Sequence, residues 1–535
     1  MKTNNNPFTD QQLNTLNNEE LLSLCKILMA HNKELNNRLD YMIEQINLAN
    51  HHKFGKSSEK GGCADDCEQV SFCFNEAEIE VANSSQSPTT KEEEFDEIVV
   101  TSHRRKKKKG KKETDLANFP VITIEHKLPE DEQICNECGE ELKVVTTESY
   151  KLLRFVPEHF EVEEHVVYVY ACKDNSCGKM ERAEKEPTLL RGSIATPSIV
   201  AAIINAKYVN GMPIARLEKE FERNDVYLSR QTMSNWVIRC SEEYFSLLYD
   251  CLKVHLLQCK YAQADETIVQ VLHEEGRKAT SNSYMWVYRT SERSSTNSII
   301  LFDYQETRAG YHPKEFLSGY EGYLTTDGYQ AYHNLGDDII ITGCLAHARR
   351  KFHDCIKTLP EKQREGTVAN EAIKRIAMLY QIETLLKEKI AKERYEERQK
   401  QSKPLLDAFF EWLKTIEPAV SNNSMLGKAI TYSLNQEKYL RNYLIDGNIP
   451  IDNNASERAI KPFVIGRKAW MFCNSPNGAK ASAIIYSIVE TAKAHRLKPY
   501  HYLRYVLEVI PKHMNDTTLE FVEDLLPWSD KIPNE

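Results

Sequence analysis

Three acidic residues, far apart in the chain, could together hold metal ions. Asp265 lies in the segment QADET, Asp327 in LTTDGYQAY and Glu457 in DNNASERAIKPFVIGRKAW. Mg²⁺ (or Mn²⁺) prefers oxygen ligands and retains several waters, so three carboxylates are sufficient for two ions. Two such ions lower the pKa of an attacking water or hydroxyl and neutralise the leaving oxygen of a phosphodiester. The three segments are therefore candidates for a site that holds two metal ions, with Asp265 bridging both.

Five short strands are predicted around the first two carboxylates. They are the runs YAQADETIVQVL, SYMWVYRT, NSIILFDYQ, GYLTTDGY and DIIITGCL, with a helical turn, HPKEFLSGY, between the third and the fourth. Three strands in hairpin order, a crossover helix and two further strands are the order of a ribonuclease-H-like fold. In that fold the first and fourth strands are adjacent. Asp265, within the first strand, and Asp327, at the end of the fourth, are therefore expected to meet at one edge of the sheet.

The third carboxylate is predicted to lie on a helix that follows a helical insertion. After His347 the chain reads as helical for about a hundred residues, and residues 373–400 contain neither Gly nor Pro. Turn and N-cap residues at 452–456 then open a helix that carries Glu457. Glu490, in SIVETAK, is an alternative third carboxylate, because it is also helical, also in a basic stretch and also followed by a Lys.

Charge is distributed in blocks along the chain. The formal net charge of −10 argues against a nucleic-acid partner, but residues 64–100 contain eleven acidic residues and one Lys, a local charge of −10, and are read as a solvated linker. Residues 104–112 are basic, and either bind phosphates or fold back on the acidic stretch. Residues 456–505 contain nine Lys and Arg against two Glu, a local charge of +7. A basic surface therefore surrounds the third carboxylate.

The 535-residue chain has the composition of a soluble globular protein, with 41% hydrophobic and 28% charged residues. Its length predicts about three to four domains. It has no run of eighteen apolar residues, and its first residues lack the pattern of a signal peptide, so we expect a cytoplasmic protein without a membrane partner. Its fourteen cysteines are then expected to be reduced or metal-bound.

Four of these cysteines are spaced as zinc ligands. The pairs Cys135-x2-Cys138 and Cys172-x4-Cys177 enclose a segment rich in Val, Phe and Tyr that is read as strands. Two knuckles joined by a hairpin form a zinc ribbon, and four thiolates suit one tetrahedral, structural Zn²⁺. The alternative is four free buried cysteines.

Two further helical patterns suggest binding roles. Helices over 198–209, 213–223 and 229–240 form a helix-turn-helix arrangement, whose last helix presents Arg230, Gln231 and Asn235 opposite an apolar face. These side chains suit base edges in a major groove, although any small helical domain can show such spacing. Over 18–50, apolar residues recur every seven positions, which favours either a coiled coil that pairs subunits or one helix packed on its own chain.

A set of ordered segments carries a family resemblance. They are FGKSSEK, the cysteine pairs, YVNGMPIARLEKEF, LSRQTMSNWV, ADET, TTDGYQAY, GCLAHARRKF, DNNASERAIKPFVIGRKAW and SIVETAKAHRLKPYHYLRYVL, followed by LLPW. Together they resemble the large, TnpC-type transposase of the insertion-sequence-sixty-six family, a group of bacterial DDE transposases. The chain departs from that pattern at Leu345, where Trp is common, at Lys461-Pro462, where Arg-Pro is common, and in the wide Cys172–Cys177 gap.

The resemblance implies cut-and-join chemistry at the ends of a mobile element. The catalytic triad would be Asp265, Asp327 and Glu457, and the partners would be terminal inverted repeats and target DNA. Synapsis of two ends implies a homo-oligomer, and small accessory proteins of the same element are further candidate partners. For His347 a structural hydrogen bond is expected. Phosphate contacts are expected from the basic residues Arg349, Arg350, Arg458, Lys461, Arg467 and Lys468.

The predicted fold is multidomain α/β. Its parts are an N-terminal helical segment (1–60), an acidic then basic linker (61–118), a zinc ribbon (119–190), a helix-turn-helix domain (191–258), a ribonuclease-H-like core (259–350 and 450–498) with a helical insertion (351–449), and a C-terminal helical domain (499–535). Two rivals to a transposase are a noncatalytic DNA-binding regulator derived from one and a ribonuclease-H-like structure-specific nuclease. Intact carboxylates argue against the first, and end-specific binding domains against the second.

Overall fold

The computed structural model describes residues 187–533 except 294–296, 358 and 517, and also 160–165, 168–171, 180–182 and scattered positions between 22 and 46. The predicted linker (61–118) and the four predicted zinc ligands therefore lie outside the described residues. The chain divides into two units, residues 88–166 and the remainder. Every described position between 22 and 46 is helical, in agreement with the predicted N-terminal helix.

A short antiparallel hairpin flanks the second cysteine pair. Strand β1 (Val169–Ala171) pairs with β2 (Met180–Arg182), and Ala171 lies opposite Met180. Cys172 and Cys177 fall in the chain between these strands. The pairing brings together the residues that precede and follow this cysteine pair, but ligation by these cysteines stays a prediction.

The predicted helix-turn-helix segments are helical within a few residues of the expected bounds. The helices are α1 (Pro197–Ile204), which continues as a π-helical turn to Val209, α2 (Ile214–Arg223), α3 (Arg230–Cys240) and α4 (Ser246–Leu257). Ser229 caps α3, and its hydroxyl accepts a hydrogen bond from the backbone N–H of Thr232 (3.1 Å). One face of α3 is buried, as predicted, through Met233, Trp236, Val237 and Cys240.

A five-stranded mixed sheet forms the centre of the described part of the chain. Its strands are β3 (Tyr261–Gln270), β4 (Asn282–Thr290), β5 (Ile300–Gln305), β6 (Gly322–Thr326) and β7 (Ile339–Gly343), in the order β5-β4-β3-β6-β7. A short helix, α5 (Tyr311–Phe316), lies in the crossover between β5 and β6. The predicted adjacency of the first and fourth strands is confirmed, because β3 pairs in parallel with β6.

Between β7 and the last helices the chain forms a helical region with its own core. Its helices are α6 (Leu345–Lys357), α7 (Glu361–Arg364), α8 (Val368–Leu385), α9 (Ala391–Glu397), α10 (Lys403–Ile416), α11 (Met425–Asn435) and α12 (Glu437–Arg441). Phe352, Ile376, Phe409 and Phe410 are among its fully buried side chains. This core is distinct from the one around the sheet, but it includes Tyr261 of β3, so the helical region packs against the sheet.

Three more helices close the fold: α13 (Asn454–Trp470), α14 (Pro476–Ala494) and α15 (Pro499–Val509). Helix α14 covers the edge strand β5. The N–H groups of Ile300 and Phe302 donate to the hydroxyls of Thr491 (3.0 Å) and Ser487 (2.7 Å). These bonds satisfy backbone donors that an uncovered edge would leave for another chain. Among the described helices, none has the length and apolar character needed to cross a membrane.

Candidate active site

Parallel strand pairing brings Asp265 and Asp327 to the same end of the sheet. Gln263 of β3 lies opposite Thr325 of β6, so each carboxylate follows two residues beyond a paired position. Asp265 Oδ1 accepts a hydrogen bond from the backbone N–H of Glu266 (2.9 Å). Asp327 Oδ1 accepts one from the backbone N–H of Tyr329 (2.9 Å). Both side chains are half-buried, and the local backbone holds each of them in one orientation.

Glu457 lies in the first turn of α13, close enough to Asp265 for its charge to act on that carboxylate. The start of this helix is fixed to β3, because Asn453 Nδ2 donates to the carbonyl of Ala264 (2.8 Å) and Gln263 Nε2 donates to that of Asp452 (3.2 Å). The buried Arg289 of β4 also donates to the carbonyl of Ala455 (2.9 Å). Glu457 itself is only 8% exposed. The sheet and the helix thus position the third carboxylate together.

The electrostatics of Asp265 show that the acids act on one another. Burial, followed by the charges of Glu266, Asp327 and Glu457, raises the pKa of Asp265 well above its usual range. The oxygens of the triad do not all lie within 4.8 Å of one another. Excess negative charge at a set of oxygen donors is the environment that divalent cations fit.

Glu490 lies on α14, beside the edge strand β5 and away from Asp265. Its side chain pairs with Lys493 of the same helix (2.8 Å), and the neighbouring Ser487 and Thr491 bind the edge strand β5. That edge is separated from β6 by two strands. Of the two glutamates that the sequence left open, the structure therefore brings Glu457 to Asp265.

A fourth carboxylate, Glu266, was missed by the sequence analysis. Its side chain is 2% exposed and is bound by Arg308 Nε (2.8 Å) and by the hydroxyl of Tyr332 (2.6 Å). Burial and the charge of Asp327 raise the pKa of Glu266 to about 7, although Arg308 opposes the shift. The signal was the second acid of the ADET segment. Because neighbours in a strand face opposite ways, Glu266 faces away from Asp265, and it acts on Asp265 through its charge.

The helical insertion braces the backbone at Asp327. The hydroxyl of Tyr432, on α11, donates to the carbonyl of Asp327 (2.6 Å). Gly328 has a φ of 92°, and a Cβ there would meet the Tyr432 oxygen at 2.9 Å. Glycine is therefore required for both its conformation and its size. The insertion is part of what positions the second carboxylate.

Helix α6 places the positively charged side chain of Arg350 beside Glu457. Arg350 Nη2 lies 3.2 Å from both carboxylate oxygens of Glu457, and Arg350 Nη1 lies 3.3 Å from His347 Nε2. Burial lowers the pKa of His347, against the charges of Asp327 and Glu457, so at neutral pH this contact is a hydrogen bond to a neutral ring. That is the role predicted for His347. Arg349 is only 4% exposed, which argues against its predicted phosphate contact in this conformation.

The other predicted DNA contacts differ in exposure. On α13, Lys468 is exposed, and Arg458 pairs with the exposed Glu292 (3.3 Å). Lys461 and Arg467 are half-buried, and Arg467 Nη1 lies 3.5 Å from the Thr267 hydroxyl of β3. The three residues predicted to contact bases are all exposed on α3: Arg230, Gln231 and Asn235.

Asp265→Asn is expected to stabilise the metal-free protein at neutral pH. A raised carboxyl pKa means that the folded state binds the proton more tightly than the unfolded state. The associated stability is complete below the unfolded pKa and is lost as pH rises through the folded pKa. Each tenfold difference in proton affinity between the two states corresponds to about 1.4 kcal/mol. Melting in EDTA across pH 4–8 should show this loss in wild type and a smaller one in the variant, and equal pH dependence would contradict the electrostatic account of Asp265.

Family models match most of the chain. The matches are "Transposase IS66 family" over residues 192–481, "IS66 C-terminal element" over 487–528, "zinc-finger binding domain of transposase IS66" over 132–174, and "Transposase C of IS166 homeodomain" over 42–124. The first alone covers more than half of the sequence. The class of protein is thus a transposase with a DNA-binding region, and the chain belongs to the IS66 transposase family.

Two of these matches bear on the predicted zinc and linker segments. The zinc-finger model spans Cys135, Cys138 and Cys172 and ends before Cys177, so zinc is supported while the fourth ligand stays a prediction. The homeodomain match extends through the segment interpreted as a linker, residues 61–118.

Relatives of similar length exist in Sinorhizobium fredii (strain NBRC 101917 / NGR234). The chain is 27% identical to "Uncharacterized protein y4qI" over 519 residues, which is 94% of this chain and 91% of the relative. It is 29% identical to "Uncharacterized protein y4jD" over 75% of this chain and 78% of the relative. The chain is 28% identical to a third relative, "Uncharacterized protein y4hP", over 74% of this chain and 73% of the relative. The names of these proteins state no activity.

Proposed function

We propose that the protein is a DDE transposase that binds the terminal inverted repeats of its own element, cleaves the 3′ ends and joins them to target DNA. The observation that carries this proposal is the convergence of Asp265, Asp327 and Glu457 in a chain of the IS66 transposase family. Water attacks the phosphodiester at the element end and releases a 3′-hydroxyl. That hydroxyl then attacks a target phosphodiester, so one bond forms as another breaks.

The catalytic core is proposed to be ribonuclease-H-like. The strand order β5-β4-β3-β6-β7, with three antiparallel strands followed by two parallel ones, supports this assignment. The position of the acids supports it too, because Asp265 is within the first strand and Asp327 follows the fourth. The helical insertion of this core then has a defined role, which is to hold the backbone of Asp327 through Tyr432.

Asp265, Asp327 and Glu457 are proposed to hold two divalent cations, Mg²⁺ or Mn²⁺. The fit rests on the donor set, since burial and the charges of the neighbouring carboxylates raise the pKa of Asp265 where a bound cation would lower it. Such ions would activate the attacking oxygen and neutralise the leaving one. Arg350 orients Glu457, and the basic face of α13 holds the DNA backbone beside it.

The proposal is tested by cleavage of labelled element ends with Mg²⁺. Wild type is expected to cut and Asp265→Asn to be inactive, while Asp303→Asn keeps activity. Asp303 is a matched control, because it is also a half-buried strand aspartate but lies in β5 and contacts Gln305. Equal cleavage by wild type and Asp265→Asn would refute the mechanism. Cleavage of any DNA would favour the nuclease, and binding without cleavage would favour the regulator.

End recognition is proposed to depend on α3. Arg230→Ala is expected to weaken binding to an element end by about 1–3 kcal/mol and to relax sequence preference, because Arg can read guanine with two hydrogen bonds. Arg239→Ala is the matched control on the same helix, since Arg239 is already paired with Glu243 (2.9 Å). Fluorescence anisotropy with an element-end duplex and a scrambled duplex measures both the affinity and the sequence preference. If Arg230→Ala loses the same binding affinity for both duplexes, Arg230 contacts phosphates and does not read bases.

A further inference from the structure

A thiol, an imidazole and a carboxylate converge far from the carboxylate triad in the chain. Cys251 and His255 lie one turn apart on α4, and Glu523 lies in the 3₁₀ segment Glu520–Leu525 near the end of the chain. The Cys251 thiol donates to Glu523 Oε1 (3.3 Å), and His255 Nε2 lies 3.1 and 2.9 Å from the two Glu523 oxygens. In the described part of the chain, this is the one group of such ligands whose atoms all lie within 4.8 Å of one another.

We propose that Cys251, His255 and Glu523 bind a Zn²⁺ ion that clamps the end of the chain to α4. Thiolate, imidazole and carboxylate are all zinc ligands, with bonds of about 2.0–2.3 Å. Ligand atoms of a tetrahedral site are then about 3.3–3.7 Å apart, close to the separations already present. The thiolate selects zinc over Mg²⁺, which prefers oxygen donors only.

The surroundings hold the three ligands in place. The His255 ring packs edge to face with Trp528 (5.5 Å between centroids), and Trp528 also contacts the ring of His495. The hydroxyl of Tyr502 donates to the carbonyl of Leu525 (2.7 Å), which fixes the segment that carries Glu523. Because these contacts already hold the ligand side chains in place, little further ordering of them is needed when an ion binds.

The site is open to an ion from solvent. The side chain of His255 is 30% exposed and that of Glu523 is 56% exposed. Three protein ligands leave the fourth position for water. An ion would take the place of the Cys251 thiol proton that now bonds to Glu523, and this proton would leave to solvent. The site differs from the predicted zinc ribbon, whose family match ends at residue 174, and it needs no part of the proposed catalytic function.

The test is the zinc content of the purified full-length protein after dialysis against Zn²⁺. Cys251→Ser is expected to bind one Zn²⁺ per chain less than wild type, whereas Cys355→Ser is unchanged. Cys355 is a matched control, because it is also a half-buried helical cysteine, and its thiol donates to the carbonyl of Lys351. Zn²⁺ should also raise the melting temperature of wild type more than that of Cys251→Ser.

Cobalt substitution gives a second measurement that does not depend on zinc counting. Co²⁺-loaded wild type is expected to show thiolate-to-metal absorption that decreases in Cys251→Ser and in Glu523→Ala but not in Cys355→Ser or Glu520→Ala. Glu523→Ala retains the thiol, so it tests the site even if Cys251→Ser folds poorly. Equal zinc content and equal cobalt spectra in wild type and both site variants would overturn the proposal.

Discussion

Glu457→Gln is expected to reduce cleavage of element ends by about 10³-fold or more, because a neutral amide replaces the carboxylate that we propose holds a metal ion. The substitution keeps the shape of the side chain, and the amide oxygen can still accept from Arg350, which now lies 3.2 Å from both oxygens. The start of α13 is held by Asn453 and Arg289, neither of which touches the Glu457 carboxylate. The variant should therefore fold and bind DNA. Single-turnover cleavage with Mg²⁺ measures the effect.

Glu490→Gln is the matched control for this experiment. Glu490 is also a buried helical glutamate in a basic stretch, but its partner is Lys493. We expect its cleavage rate to stay close to that of wild type. If Glu490→Gln is inactive while Glu457→Gln retains activity, the third carboxylate has been wrongly assigned. Equal DNA binding by the two variants would show that any difference lies in the chemical step.

Arg398→Met is expected to destabilise the protein by about 3–5 kcal/mol, because it breaks a buried ion pair. Arg398 is fully buried and makes two contacts with Glu383, at 2.7 and 2.8 Å. It also donates to the carbonyls of Tyr443, Asp446 and Ile449, which would lose their donor. Burial by itself would raise the pKa of Glu383, but Arg398 and Arg293 lower it overall. Denaturant unfolding of the full-length chain measures the loss.

Lys400→Met provides the comparison for Arg398. Lys400 lies two residues away and pairs with Glu397 at 3.6 Å, but its side chain is 68% exposed. A surface pair of this kind contributes about 0–1 kcal/mol. If both variants lose the same stability, the ion pair with Glu383 does not organise the insertion. Because Tyr432 of this region holds the Asp327 backbone, Arg398→Met should also reduce cleavage.

Local patterns predicted most of the elements that form the site. The strands around Asp265 and Asp327 and the helix opened by Ser229 lie within a few residues of their predicted positions, because period and capping act over one or two turns. The zinc ribbon and the coiled coil involve residues outside the described part of the chain and stay predictions.

Long-range contacts decided what local patterns left open or missed. Glu457 and Glu490 share a helical, basic context, and the pairing of α13 with β3 separates them. The buried carboxylate of Glu266 accepts hydrogen bonds from Arg308 and Tyr332, which are distant from it in the chain. The two neighbouring arginines on α6 have different surroundings, because Arg349 is buried and Arg350 donates a hydrogen bond to Glu457.

The sequence by itself determined the family, most of the described elements and the strand order that brings Asp265 and Asp327 to one end of the sheet, because residue types, spacing and strand order depend on neighbours along the chain. Only the tertiary structure brought the charges of Glu457 and Glu266 close to Asp265 and the hydroxyl of Tyr432, in the insertion, to the backbone of Asp327. It alone also brought Glu523 to Cys251 and His255. The physical reason is that charge–charge and hydrogen-bond energies depend on distances in space, which chain spacing does not specify.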